Sequence, residues 1–299
     1  MTLRDAGENA LLARLLPTLA KGKGVVVSAG DDCAVLRNAD SHRFTLFKTD
    51  CIVEEVHFDR HARGVDIGWK AMARALSDFA AMSGVPRFAL VTLIAPAATS
   101  CDRVIEIYRG LNKAAARFDV AIVGGETSST SGPLAISVSV LGDVERDRCV
   151  LRRGGRAGDE LFVTGRLGGA LKGGKHLRFA PHIAESRWLT QHFNIHAMMD
   201  LSDGLGADLP RLAHASGLAF QINEEALPRT PGCTMEQAIN DGEDYELLFA
   251  ISRRDTESLQ RKWRAKFPTL PLTGIGSLSR KPKTENRKSL RGYEHFRKR

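Results

Sequence analysis

Five short acidic clusters hold most of the chemistry available to this chain: Gly30-Asp31-Asp32, Thr49-Asp50, Ser77-Asp78, Gly124-Gly125-Glu126-Thr127 and Asp200-Leu201-Ser202-Asp203-Gly204. Carboxylates beside hydroxyls and glycines suit Mg²⁺, which prefers oxygen ligands and is typically held by one or two carboxylates plus substrate phosphates. Taken singly, each cluster reads as a turn or a helix cap. Five of them, each at the boundary of an expected strand or helix, point instead to a shared metal and phosphate site. Gly124 and Gly125 follow an apolar run and leave backbone N–H groups able to approach a phosphate. His57 stands beside the Thr49-Asp50 cluster as a candidate substrate contact, and Glu243, Asp244 and Glu246 crowd the start of an expected buried strand. The chain therefore reads as an ATP-using enzyme without a P-loop. Its one near-match to that loop, Gly169 to His176, ends in histidine where a Mg²⁺-binding hydroxyl belongs, and is rejected as the nucleotide site.

The elements that must position these groups can be read from apolar periodicity. Runs at 44–48, 88–94 and 134–141 are strand-like, the last alternating with period two as a half-buried antiparallel strand does. Trp69, Met72, Ala73, Leu76, Phe79 and Ala80 form one helical stripe, and Val104, Ile107, Tyr108, Leu111 and Ala115 form another. A helix is expected from near Asp5, and Asp203 or Ser202 is expected to cap a helix that follows a strand at 197–201. Further strands are expected at 160–164, 219–223, 245–251 and 272–275, with a helix at 255–267. Strands and helices mix without regular βαβ repetition, so the reading is α+β in two domains, 1–145 and 146–299.

Bulk properties narrow the function classes. At 299 residues, 43% hydrophobic and 26% charged, the composition is that of a soluble globular protein. No apolar run approaches the ~18 residues of a membrane span, and the N-terminal patch, broken by Arg14 and Pro17, is not a signal peptide. The five scattered cysteines contain no CxxC pair, which fits a reducing cytoplasm and argues against zinc or a disulfide framework. Cys33 and Cys51 read as buried core residues. The net charge of +8 is concentrated at the end: residues 280–299 hold nine Lys/Arg and two Glu. That basic tail reads as a solvated end, with nucleic acid or an acidic partner as the alternative.

The motif order resembles the thiamine-monophosphate kinase family, of the aminoimidazole ribonucleotide synthetase superfamily. The residues that carry the resemblance are GDDCAVL, KTDCIVEEVHF, KAMARALSDFAAMSGVP, IVGGETS, GPLAISVSVLG, LRRGGRAGDELFVTG, MDLSDGLGADLPRLAHASG and GEDYELLF, with a weaker echo in GYEHF. It implies two α+β domains, the N-terminal ones pairing in a homodimer, and phosphorylation of thiamine monophosphate to thiamine diphosphate by direct transfer from ATP with several Mg²⁺ ions. It implies Asp32, Thr49, Asp50, Asp78, Glu126, Asp200 and Asp203 as metal ligands. ATP would meet Gly124, Gly125, Arg152, Ser202 and Tyr108; thiamine phosphate would meet His57, Glu243 and Tyr293; Asp203 and Arg152 would serve catalysis. Departures from the family pattern are Glu126 for Asp, Lys48 for a small hydroxyl residue, Glu55 for glycine and His182 in place of an arginine. Two alternatives stand beside this reading: a sister ATP-dependent enzyme with another small substrate, and an inactive scaffold binding nucleic acid through its tail.

Overall fold

The computed structural model describes residues 2–20, 22–280, 292, 293 and 295; the basic tail at 280–299 therefore lies almost entirely outside the described residues. The chain divides into two compact units. The first comprises Met1–Ala34, Leu151–Ala170 and Phe193–Arg299, and the second Val35–Val150 and Leu171–His192. The units are interleaved along the chain, whereas the sequence reading placed one boundary, at 145/146.

In the second unit, strands β2 (Ala34–Arg37), β3 (Arg43–Val53), β4 (Val85–Pro96), β5 (Ala121–Thr130) and β6 (Ala135–Glu145) hydrogen-bond in the order β2-β3-β6-β4-β5. The short strand β1 (Val25–Val27) precedes them. β3 and β4 both run antiparallel to β6, while β4 and β5 are parallel and joined through helix α3 (Cys101–Arg117), a βαβ crossover between neighbouring strands. β6 is longer than the expected 134–141 run but keeps its period-two alternation of burial to the end. The inward-facing residues Leu46, Ile52, Ala89, Val91, Ile136, Val138 and Val140 are buried, and helix α2 (Gly64–Ala81) packs on β3, β4 and β6.

Helix α2 is buried on nearly every side, more than its apolar stripe predicts, because α3 and the segments 175–177 and 183–192 pack on it besides the sheet. The two helices touch backbone to backbone. A Cβ on Gly68 would stand 1.8 Å from the Ile107 carbonyl oxygen, and one on Gly110 would stand 2.0 Å from that of Val65. Helix α4 (Ile183–His192) is tied to β6 by a two-pronged ion pair, Arg187 Nη1 and Nη2 donating to Glu145 Oε2 and Oε1 at 2.6 and 2.8 Å.

The first unit has a wholly antiparallel sheet of β7 (Glu160–Thr164), β8 (Ile195–Asp200), β9 (Ala219–Ile222), β10 (Leu247–Ile251) and β11 (Leu272–Ser279), in the order β8-β10-β7-β11-β9. Leu161, Val163, Ala197, Met199, Leu248, Ala250 and Ile275 point into one core with Leu205, Leu209 and Leu212 of helix α5 (Leu205–Ala215). Helices α6 (Met235–Asn240) and α7 (Thr256–Lys266) complete the unit with α1 (Leu3–Leu15), which starts two residues earlier than expected because Thr2 and Asp5 form a reciprocal capping box. Both units are α+β, as the sequence implies. No helix among the described residues is long and apolar enough to cross a membrane.

Candidate active site

The first unit gathers one group of predicted residues where Asp31 and Asp32, the Arg152 segment and the end of β8 meet. Asp32 is 1% exposed, and its Oδ1 accepts from Arg152 Nη2 at 2.6 Å and Nε at 3.2 Å. An oxygen of Asp200 lies within 4.8 Å of one on Asp32. Burial works against the Arg152 charge, but Asp32, Asp200 and Asp31 outweigh it and raise the guanidinium further above its usual range. Asp31 accepts the Arg152 backbone N–H at 3.2 Å, and burial, followed by the Asp32 charge, pushes its own carboxyl up. Asp32 Oδ2 is buried with no hydrogen-bond partner among the described residues. A buried carboxylate oxygen without a partner is costly, and a hard divalent cation is the species whose chemistry satisfies it. On that observation these residues fit Mg²⁺.

A second group follows directly in the chain. The Ser202 carbonyl accepts from Glu243 N–H at 2.7 Å and the Asp203 carbonyl from Tyr293 N–H at 3.0 Å, so four predicted residues are drawn together by backbone bonds. Neither Ser202 nor Asp203 caps α5, contrary to expectation. The N-cap is Gly204 at φ 97°, a conformation that suits glycine, and the Asp203 N–H instead donates to Asp208 Oδ2 at 3.0 Å from the helix's own first turn. Arg211 Nη1 bridges Asp203 Oδ2 at 2.5 Å and Asp208 Oδ1 at 2.8 Å. Burial, then the Asp203 charge, pushes the Asp208 carboxyl well up. Glu243 and Tyr245 both adopt left-handed backbone, φ 66° and 52°, conformations that concentrate at functional sites when the residue is not glycine. The neighbouring carboxylates of Asp244 and Glu246 have structural work: Asp244 Oδ2 accepts the Gly168 N–H at 2.9 Å, and Glu246 Oε2 accepts from the Thr164 hydroxyl at 2.7 Å.

The second unit brings together Asp50, Asp78 and His57. Alternation along β3 puts residues 46, 48, 50 and 52 on the α2 side of the sheet, while Asp78 and Arg74, one helical turn apart on α2, face them. Lys48 Nζ lies 2.9 Å from Asp78 Oδ1 and 3.8 Å from Asp50 Oδ2, and Arg74 Nη2 lies 3.8 Å from Asp50 Oδ1. Burial alone would raise the Asp50 carboxyl; the charges of Lys48 and Arg74 overcome it and hold the group below its usual range. His57 is buried, its Nδ1 accepting the Val53 N–H at 3.0 Å, which leaves the neutral ring's proton on Nε2. Lys70 donates to the His57 carbonyl at 2.6 Å.

Other expected members of the site stand elsewhere. The Thr49 hydroxyl is on the opposite face of β3 from Asp50, because successive strand residues alternate, and it bonds to Ser139 and Ser137 at 3.0 and 3.3 Å. Its side chain is thus not a partner of Asp50. Glu126 is on strand β5, separated from β3 by β4 and β6, about 14 Å at the ~4.8 Å spacing of neighbouring strands. Its Oε1 accepts the Thr127 N–H at 2.9 Å. Gly125 packs closely on strand β4, where a Cβ would meet the Val91 carbonyl oxygen at 1.8 Å. Tyr108 is half-buried on α3. Cys33 is buried as expected, but Cys51 is exposed on the outward face of β3, with its thiol pushed up chiefly by desolvation. The rejected Gly169–His176 motif leads only into a three-residue 3₁₀ turn, Lys175–Leu177, and not into the long helix a P-loop requires.

Sequence reasoning missed the basic partners Arg74 and Arg211 and the buried Asp208. Their signal was present: Arg74 and Asp78 are spaced i, i+4, and Asp208 and Arg211 i, i+3, on helices the sequence already led one to expect.

Comparison with known proteins places the chain in a family. Residues 30–144 match the family described as AIR synthase related protein, N-terminal domain, and residues 152–258 match its C-terminal domain. The thiamine-monophosphate kinase of Rhodopirellula baltica is 37% identical over 91% of this chain and 89% of its own, and that of Bacillus subtilis 31% identical over 96% and 98%. Among solved structures, AaThiL complexed with AMPPCP and TMP superposes with a TM-score of 0.85 at 30% identity, covering 99% of both chains. The hydrogenase maturation protein HypE in complex with ATP, at 19% identity and a TM-score of 0.66 over 93% of this chain and 90% of its own, shares the fold. The chain belongs to the thiamine-monophosphate kinase family.

Proposed function

We propose that this protein transfers the γ-phosphoryl group of ATP directly to the phosphate of thiamine monophosphate, giving thiamine diphosphate and ADP. The observation that carries the reading is the pairing of Arg152 with a buried Asp32 whose second oxygen is unsatisfied, in a family whose AaThiL structure holds AMPPCP, an ATP analogue, and TMP. Donor and acceptor are both anionic, so catalysis rests on positioning and charge neutralisation. Bound Mg²⁺, held by Asp32, Asp200 and Asp203 of the first unit and by Asp50 and Asp78 of the second, would supply positive charge against the phosphates. Arg152, kept protonated by its acidic neighbours, offsets further negative charge. Arg211 holds the Asp203 carboxylate in one orientation. Glu243 and Tyr293, fixed by backbone bonds to Ser202 and Asp203, and His57 with its Nε2 proton would contact the thiamine phosphate. No general base is required, because a phosphate monoester with a second pKa of about 6 is already ionised near neutral pH.

Two coarser expectations belong to the same proposal. The outward face of the second unit's sheet exposes Phe47, Phe88, Leu90, Val123 and Leu141, each 40% to 59% exposed. A contiguous apolar face of this kind supports pairing of two chains through these strands. Free thiols at all five cysteines are in keeping with a cytoplasmic setting. The test is an ADP-release assay with ATP, Mg²⁺ and thiamine monophosphate, the product identified by chromatography. Mg²⁺-dependent thiamine diphosphate is the expected result; ATP binding without that product would move the reading to another substrate.

A further inference from the structure

Lys48 places a fixed positive charge where the proposed function calls for divalent cations. It sits on the α2-facing side of β3, level with Asp50, and its ammonium reaches past that residue to Asp78 on the helix. Its side chain is only 22% exposed, and those of Asp50 and Asp78 are 19% and 9% exposed. Arg74 flanks Asp50 from the other side. Two carboxylates thus face two permanent cations within one unit, before any ion from solution is counted. By contrast, Asp32 in the other unit retains an unpartnered buried oxygen despite its guanidinium.

We propose that the Lys48 ammonium takes the place of a divalent ion between Asp50 and Asp78, so that this chain binds one divalent ion fewer than its carboxylates would otherwise hold. The inference rests on the reading of these carboxylates as a Mg²⁺ and phosphate site. An ammonium differs from Mg²⁺ in three ways that matter here. It carries one charge instead of two, it is tethered and cannot exchange, and it donates hydrogen bonds at ~2.9 Å where Mg²⁺ would bind oxygens at ~2.0–2.1 Å. A divalent ion entering between Asp50 and Asp78 must displace that ammonium or bear its repulsion. Lys48 is thus a positioning residue: it orders the two carboxylates and sets how many ions they accept.

The test is a Mn²⁺ titration of the full chain followed by electron paramagnetic resonance, on wild type, Lys48→Met, Lys48→Gln and Lys48→Arg. Removal of the charge should add one Mn²⁺ per chain or tighten binding at least about tenfold, the scale on which residues next to metal ligands act. Lys48→Arg should behave as wild type. The inference is overturned if Lys48→Met, or Lys48→Gln should the first variant fail to fold, binds Mn²⁺ with wild-type number and affinity, or more weakly. Thiamine monophosphate turnover by the wild type, measured in parallel, separates the two claims. Turnover with unchanged Mn²⁺ binding removes the Lys48 inference and keeps the function; an added Mn²⁺ site without turnover does the reverse.

Discussion

The two units solve the problem of concentrated negative charge in different ways. In the first, two of the functional carboxylates lean on a guanidinium from their own unit, Asp32 on Arg152 and Asp203 on Arg211, and Asp32 still keeps one oxygen unsatisfied. In the second, Asp50 lies between Lys48 and Arg74 while Asp78 pairs with Lys48, and the net effect on Asp50 is a carboxyl held below its usual range. A carboxylate that has already been neutralised needs a ligand less than one that has not. The first unit is therefore the more demanding of exogenous cations, and the second the more self-sufficient.

The largest expected effect that sharpens this contrast is on turnover. Asp203→Asn should lower kcat by at least ~10²-fold, the scale of removing one electrostatic contact from a transition state. The fold should remain, since the amide oxygen can still accept from Arg211; steady-state kinetics beside circular dichroism checks both. Arg152→Ala should cost about 3 kcal/mol of stability, because it leaves Asp32 buried and uncompensated. Added Mg²⁺ should restore part of that loss, read as a shift in the urea midpoint. If Mg²⁺ has no effect on the variant, the unsatisfied oxygen of Asp32 is not a cation ligand and the contrast between the units fails.

A smaller effect belongs to the second unit alone. Arg187 holds the Glu145 carboxyl down to about 2, from 4.5 in the unfolded chain. A depressed carboxyl stabilises the fold above the unfolded value and loses that contribution as pH falls from about 4.5 through about 2. Between those limits wild type should lose its advantage over Glu145→Gln; urea midpoints at neutral pH and near pH 3 measure it. An unchanging difference would show that α4 is not held to β6 by this ion pair. The smallest effect is expected at Glu55, whose φ of 61° lies in the left-handed region, while its side chain makes only an exposed pair with Arg60. Glu55→Gly should stabilise the second unit by up to ~1 kcal/mol by relieving that strain. It should leave the His57 ring on the Val53 N–H, visible in the imidazole nitrogen shifts.

Much of this was legible in the sequence because it depends on local rules. Period-two burial gave β6, helical spacing gave α2 and α3, and a strand at 160–164 matches β7 residue for residue. The acidic clusters were visible as types and spacing. What stayed hidden depends on partners far away in the chain. That Gly125 lies against the Val91 carbonyl is set by a strand pairing no local window contains. The face on which Thr49 points follows from strand alternation once the register of β3 is known, and Asp50 beside it then necessarily points the other way. The caps expected from Ser202 and Asp203 gave way to Gly204, whose positive φ suits glycine, while the Asp203 carboxylate is engaged by Arg211. Glu55 shows the opposite case: the resemblance already marked it as a departure from an expected glycine, and its φ of 61° is a conformation that favours glycine.

The central claim is that this chain makes thiamine diphosphate by direct phosphoryl transfer. The most direct measurement is incubation with ATP labelled at its γ-phosphate, Mg²⁺ and thiamine monophosphate, followed by separation of products and protein. The account predicts label in the terminal phosphate of thiamine diphosphate, none covalently on the protein, and none transferred when Mg²⁺ is chelated. Label retained in ATP, or released only as inorganic phosphate while thiamine monophosphate is untouched, would contradict it.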